Sequence, residues 1–117
     1  MSMSPPCDHR LCALDTIADP GSRGYTINQQ GIFVVRQGQS VKVYRNLCPH
    51  AYIPLEWIEH EFLTLDKSLI QCANHGALFT IEEGQCIAGP CSGTRLKKIP
   101  AEVRDQQIYI ALPTATI

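Results

Sequence analysis

The sequence has no excess of positive charge and no long apolar run. Its 10 Lys and Arg residues are outnumbered by 11 Asp and Glu residues, which gives a formal net charge of −1. Without a basic surplus, the chain lacks the attraction that draws proteins to nucleic acids and anionic membranes. No stretch approaches the roughly 20 consecutive apolar residues that a transmembrane helix requires. We therefore expect neither nucleic acid nor membrane among its partners.

The amino terminus also lacks the pattern of a secretory leader. Residues 1–7 contain neither a basic segment nor an apolar segment, so the sequence predicts no signal peptide. We therefore expect a cytoplasmic protein, and a monomer. In that reducing compartment the six cysteines are expected to bind metal or remain thiols rather than form disulfides.

A helical hydrophobic pattern is missing as well. No stretch keeps apolar residues at i, i+3, i+4 and i+7 spacing long enough to predict an amphipathic helix. Short runs of β-branched and aromatic residues alternate with turn residues instead, which is typical of an all-β sandwich or barrel. The predicted strands are residues 11–14, 31–36, 41–45, 61–64, 68–71, 77–81, 85–88, 96–99, 101–104 and 107–111.

The length of the chain limits its organisation. Its 117 residues fit one domain, because domains typically contain about 100–150 residues. We expect a flexible tail over residues 1–10 and a single domain over residues 11–112. A group of Pro and Gly residues at 19–24 predicts a loop.

Two short clusters of cysteine and histidine are the chemically distinctive feature of the sequence. The first is Cys48-Pro49-His50 and the second is Cys72-Ala73-Asn74-His75, and each follows a predicted hairpin strand. Both are therefore expected in loops at strand ends, where side chains can converge on one centre. The candidate metal ligands are Cys48, His50, Cys72 and His75.

The residues alone leave three interpretations open. A structural zinc ion binds two cysteines and two histidines, but its usual motifs keep like ligands together. A [2Fe–2S] cluster with two cysteines on one iron and two histidines on the other suits a mixed pair in each loop, because each loop then gives one ligand to each iron. The four residues could also be unrelated. Their order favours the two-iron centre.

The sequence resembles the Rieske ferredoxin family over roughly residues 10–112. The resemblance rests on Cys48-Pro49-His50, on residues 72–79, and on residues 84–86 leading into Gly89-Pro90. It implies a Rieske-like antiparallel three-sheet sandwich. It also implies a small cluster-binding subdomain at one tip, over about residues 46–93.

The same resemblance implies a function and partners. The four candidate ligands would hold one [2Fe–2S] cluster per chain. The protein would then be a soluble one-electron carrier, the ferredoxin component of an oxygenase-type system. Its partners would be redox proteins, namely a reductase and a terminal oxygenase or reductase. No catalytic residue is predicted, so we expect an electron-transfer protein rather than an enzyme, although it could act within an oxidoreductase complex.

Two alternative functions stay open. The chain could be the small Rieske-type subunit of a reductase complex, similar to that of assimilatory nitrite reductase, or a zinc-binding structural module. A complete oxygenase catalytic subunit does not fit. A chain of 117 residues leaves no room for a second domain with a 2-His-1-carboxylate iron site.

The chain departs from the high-potential members of the family. Those members carry Ser and Tyr where this chain has Ala77 and Phe79, and each of their ligand loops has an extra cysteine that is missing here. Hydroxyl groups at these positions would donate hydrogen bonds toward sulfur and raise the potential. Their absence predicts a low potential, roughly −150 to 0 mV.

Other cysteine and histidine residues are given ordinary roles. Cys86 and Cys91 lie close to the ligand loops in sequence, and we expect thiols in or near the core. His60 has no cysteine beside it and is expected at the surface.

Overall fold

The computed structural model describes residues 7–49, 55, 59–73, 76–89 and 93–111. These residues form three antiparallel sheets and one short 3₁₀ turn, Leu14–Thr16. The strands are β1 (His9–Ala13), β2 (Gly21–Ile27), β3 (Gln30–Gln37), β4 (Ser40–Arg45), β5 (Leu69–Gln71), β6 (Leu78–Thr80), β7 (Cys86–Ala88), β8 (Lys98–Ile99), β9 (Ala101–Arg104) and β10 (Gln107–Ile110). The expected three-sheet all-β fold is confirmed. Over the same residues, no helix is long and apolar enough to cross a bilayer.

The middle sheet, in the order β2-β3-β4-β8, is buried on both faces. Successive residues of a strand point to opposite faces, so β3 divides its apolar side chains between two cores. Phe33 and Val35 enter one core, and Ile32 and Val34 enter the other. The unbroken apolar run of β3 is the sequence signature of a strand covered on both sides.

The framework core lies between the middle sheet and the sheet β1-β10-β9. β9 and β10 pair from Gln107↔Arg104 to Ile110↔Ala101, and β1 pairs with the other edge of β10. The buried residues of this core are Cys12, Leu14, Ile17, Ile32, Val34, Val41, Val43, Ile99, Ile108 and Ile110. This half of the molecule is thus a two-layer β-sandwich.

The subdomain core lies against the opposite face of the middle sheet, beside the sheet β5-β6-β7. The Phe62 ring stacks on the Phe33 ring, with centroids 4.3 Å apart and planes 6° from parallel. The buried residues of this core are Phe33, Val35, Tyr44, Cys48, Leu55, Phe62, Ile70, Cys72, Ala77, Phe79, Ile81, Cys86 and Leu96. Both candidate cysteine ligands therefore belong to one core.

Two boundaries differ from the sequence prediction. Residues 19–24 were expected as a loop, but Gly21–Ile27 forms a full strand whose register with β3 runs from Gly21↔Arg36 to Ile27↔Gln30. β2 tolerates two glycines because it is the edge of its sheet, where one side needs no partner strand. The first strand begins at His9, inside the stretch predicted as a tail.

Tyr44 ties the β6–β7 turn to the middle sheet. Its buried hydroxyl donates a hydrogen bond to the carbonyl oxygen of Ile81, 2.6 Å away. Gly84 has a positive φ of 68°, and a Cβ there would lie 2.7 Å from Tyr44 Cε1, so the turn packs directly on the ring. Burial raises the pKa of Tyr44 above its usual range, and the carboxylates of Glu83 and Glu82 raise it further.

Replacing this phenol should destabilise the protein. Tyr44→Phe leaves the Ile81 carbonyl without its donor, and an unsatisfied buried polar group costs about 1–3 kcal/mol. We expect a thermal midpoint several degrees lower, measured by circular dichroism at one scan rate. Tyr109→Phe removes a hydroxyl from a partly exposed position on β10 and is the control. Equal effects of the two substitutions would contradict a special role for Tyr44.

The raised pKa of Tyr44 also predicts a dependence on alkaline pH. A phenol that ionises less readily in the folded state contributes stability that is complete below about pH 10, the ordinary tyrosine pKa. That contribution is lost as the pH rises toward the raised value, by up to about 1.4 kcal/mol per pH unit. Between about pH 9 and 11, the wild-type midpoint should therefore fall more steeply than that of Tyr44→Phe. Parallel curves would refute the prediction.

Candidate metal centre

The first ligand loop begins directly after β4 and is fastened by Asn46. The Asn46 N–H donates to the carbonyl oxygen of Gly31 at 2.9 Å, continuing the sheet by one residue. Its side-chain oxygen accepts the N–H of Leu55 at 2.8 Å, nine residues further along. One asparagine thus holds both ends of the loop. Between these ends, Cys48 lies fully buried in the subdomain core.

The second ligand loop begins directly after β5 and folds back on itself. The Cys72 N–H donates to the carbonyl oxygen of Ala77, and the Gly76 N–H donates to that of Cys72, both at 2.9 Å. Gly76 has φ 68°, a conformation that a residue without Cβ adopts without strain. The two bonds close a tight loop with Cys72 at its base, fully buried.

Leu55 joins the two ligand loops. Its N–H donates to the side-chain oxygen of Asn46 in the first loop. Its carbonyl oxygen accepts the N–H of Ala73 in the second loop at 2.8 Å. The Leu55 side chain is fully buried in the same core as Cys48 and Cys72. The loops are therefore held together through backbone hydrogen bonds as well as through packing.

The donor chemistry of this core suits a thiophilic metal. Among the described cysteines, Cys7, Cys12, Cys48, Cys72 and Cys86, no two form a disulfide. Cys48 and Cys72 bring two sulfur atoms from two loops into one apolar core, and cysteine sulfur selects zinc and iron–sulfur centres over hard cations. The two cysteines therefore fit both metal interpretations of the sequence.

His50 and His75, the other two candidate ligands, lie outside the described residues, as do Pro90 and Cys91. Within the described ranges, no group of three or more His, Cys, Asp or Glu side chains is arranged to hold a metal ion. The structure thus brings Cys48 and Cys72 into one core and leaves the two histidines as predictions.

Gly89, directly after β7, packs against Ala77 at the end of the second ligand loop. Gly89 has φ 98°, and a Cβ there would lie only 2.8 Å from Ala77 Cα, so only glycine allows this approach. Just before it, Cys86 is buried, as expected, and its thiol donates to the carbonyl oxygen of Ala88 at 3.3 Å. The second ligand loop is therefore in direct backbone contact with Gly89.

Sequence reasoning missed Asn46 and His60. Asn46 lies two residues before Cys48, and asparagine side chains often bond to nearby backbone in loops, so a local signal existed. The His60 side chain is only 32% exposed, and its Nδ1 accepts the Gly24 N–H from 36 residues away. No local pattern could reveal that contact. His60 is partly exposed, which agrees with a place at the surface, but its contact with Gly24 was not predicted.

Comparison with solved structures identifies the same fold elsewhere. The ferredoxin of carbazole 1,9a-dioxygenase from Nocardioides aromaticivorans IC177 aligns with 95% of this chain and 100% of its own, at 24% identity and a TM-score of 0.74. The terminal oxygenase of that system aligns with 92% of this chain but only 30% of its own, at 17% identity and a TM-score of 0.75. At these identities the likeness establishes the fold.

Comparison by sequence gives the family. No curated protein matches the chain. The profile described as the Rieske [2Fe-2S] domain matches residues 8–100, most of the chain. That range includes Cys48 and Cys72 and every strand except β9 and β10. The chain therefore belongs to the Rieske [2Fe-2S] family.

Proposed function

We propose that this protein is a one-electron carrier with one Rieske [2Fe–2S] cluster held by Cys48, His50, Cys72 and His75. The observation that carries the proposal is the burial of Cys48 and Cys72 in one core, on two loops joined through Leu55. In a Rieske centre two cysteines hold one iron and two histidines hold the other. When bound, the cluster supplies reversible one-electron transfer.

The protein's own residues provide an apolar, water-excluding environment for the cysteine side of the centre. Leu55, Phe62, Phe79 and Ile81 are buried in the same core as the two cysteines. Burial and hydrogen bonding around such a site set its potential. The loop backbone stays fixed by Asn46 and Leu55, so its geometry does not depend on long flexible side chains.

The comparison with solved structures favours a carrier. The chain aligns over 95% of its length with the whole of a ferredoxin that works beside a separate oxygenase, whereas it covers 30% of that oxygenase. We therefore propose a cytoplasmic, monomeric ferredoxin that receives an electron from a reductase and passes it to a terminal oxygenase.

The cluster assignment can be tested with purified protein. We expect a red-brown protein with two irons and two sulfides per chain, and an EPR signal after reduction with dithionite. Cys48→Ser and Cys72→Ser should each abolish colour and signal. Cys12→Ser is the matched control, since Cys12 is a buried thiol of the framework core. A colourless protein that contains one zinc ion would reject the proposal.

The potential should be low and should respond to a hydroxyl near the second ligand loop. Ala77 and Phe79 are fully buried and carry no hydroxyl group, so we expect a midpoint of roughly −150 to 0 mV. Ala77→Ser adds a donor worth about 0.5–1.5 kcal/mol, which raises a one-electron potential by about 20–65 mV.

Redox titration followed by visible absorbance measures both values. Ala101→Ser introduces the same hydroxyl on β9, in the sheet on the opposite side of the framework core, and should leave the potential unchanged. A wild-type midpoint above about +200 mV would contradict the low-potential assignment. An equal shift of the midpoint potential in Ala77→Ser and Ala101→Ser would contradict an effect of the hydroxyl at residue 77 on the cluster.

A further inference from the structure

His60 lies where the ligand-bearing subdomain meets the open edge of the middle sheet. β2 is that edge, since β3 covers only one of its sides. The Gly24 N–H, which would otherwise need a neighbouring strand, donates to His60 Nδ1 at 3.0 Å. An imidazole nitrogen thus replaces a strand carbonyl at this position.

The backbone around His60 is fastened to the same edge. Ser22 donates its hydroxyl to the carbonyl oxygen of His60 at 2.8 Å and accepts the N–H of Phe62 at 3.2 Å. His60 itself has φ 71°, a left-handed conformation that residues other than glycine adopt when their surroundings hold them there. Three hydrogen bonds therefore fix this short segment on β2.

The contacts continue from this segment to a candidate ligand. Phe62 stacks on Phe33 of the middle sheet, and its carbonyl oxygen accepts the N–H of Gln71 at 2.9 Å. Gln71 immediately precedes Cys72. A continuous set of contacts thus leads from the Gly24 edge through His60 and Phe62 to the second ligand loop.

The contact with Gly24 requires one protonation state. A nitrogen that accepts a hydrogen bond carries no proton, so the neutral imidazole holds its proton on Nε2. An imidazolium has N–H groups on both nitrogens, and its Nδ1–H would oppose the Gly24 N–H. The bond therefore exists only while Nδ1 is unprotonated and is lost when Nδ1 takes a proton.

The charged and titratable groups around the ring do not replace that bond. Glu59 Oε2 lies 3.7 Å from His60 Nε2, but its side chain is 85% exposed and its attraction for an imidazolium is screened by water. Glu61 and Lys67 line a groove of about 570 Å³ to which His60 also contributes, and Tyr25 lines a second groove of about 230 Å³ that His60 shares. In the structure the Gly24 N–H donates to His60 Nδ1.

We propose that His60 is a positioning residue. Its neutral imidazole holds residues 60–62, which contact the strand leading to Cys72, on the edge of the middle sheet. Protonation opens this lock and loosens the second ligand loop. Histidine is the side-chain type whose charge can change between about pH 5 and 8, so a test across that range probes the lock. This inference goes beyond the proposed electron transfer. It concerns hydrogen bonds within the protein, which do not depend on which metal Cys72 binds.

Hydrogen exchange measured by mass spectrometry on the full-length, metal-loaded protein tests the lock. Protection of the peptide covering residues 59–73 is compared at about pH 5.5 and about pH 8, after correction for the intrinsic exchange rate. We expect wild-type protection to be lower at the acidic pH by about two- to tenfold, the effect of one hydrogen bond. Peptides from β9 and β10 should show no such change.

Three variants separate the lock from other effects of pH. In His60→Asn the amide oxygen can accept the Gly24 N–H without titrating, and asparagine tolerates positive φ, so protection should not depend on pH. His60→Ala removes the acceptor and should show low protection at both pH values. His9→Asn is the matched control and should behave like wild type, because it removes a histidine on β1.

Two outcomes would overturn the proposal. One is a pH dependence in His60→Asn that equals that of wild type, and this comparison stands even if His60→Ala does not fold. The other is wild-type protection in folded His60→Ala at about pH 8. Hydrogen exchange measures the protection of backbone amides and not the chemistry of the bound metal. A protein that binds zinc would therefore refute the proposed electron transfer while leaving this test intact.

Discussion

The structure depends on a middle sheet that must be covered on both faces. β3 sends Phe33 and Val35 to one side and Ile32 and Val34 to the other, so neither half of the molecule can bury its core alone. The sheet β1-β10-β9 covers one face. The ligand-bearing subdomain covers the other, which makes the candidate metal centre part of the structural core rather than an addition to it. Cys48 and Cys72 are buried for the same reason that Phe62 and Phe79 are.

Loops that lie in a core bury backbone polar groups, and apolar packing alone does not satisfy these groups. Loops carry backbone N–H and carbonyl groups that need partners when they are buried. Within the core Tyr44 supplies one such partner, to the Ile81 carbonyl, and the described residues include no buried Asp, Glu, Lys, Arg, His, Asn, Gln, Ser or Thr. Most other partners come from side chains at the border of the core. Asn46 serves the first loop, while Ser22 and His60 serve the segment before the second. Leu55 links the loops through its own backbone.

The sequence shows how far local patterns reach. Period-two alternation and turn residues predict most strands, and the mixed Cys and His pairs predict which family the chain joins. β2 was missed because Gly21 and Gly24 weaken any strand pattern. Its place at a sheet edge depends on tertiary structure, which a local pattern does not reveal. The role of His60 was missed because its partner is 36 residues away. The assignment of His50 and His75 as candidate ligands rests on the sequence motif, since they lie outside the described residues.

Besides apolar packing, the polar contacts that hold the subdomain on the middle sheet are mainly hydrogen bonds to backbone. Lys42 and Glu82 approach to 3.6 Å with the carboxylate 70% exposed, and such surface pairs contribute about 0–1 kcal/mol. The Gly24–His60 bond is half-buried, so water competes less for its donor. Salt should therefore affect the attachment of the subdomain little, whereas a proton on one ring nitrogen removes a bond outright. The Gly24 N–H at the edge of β2 keeps its hydrogen-bond acceptor only while the imidazole of His60 stays neutral.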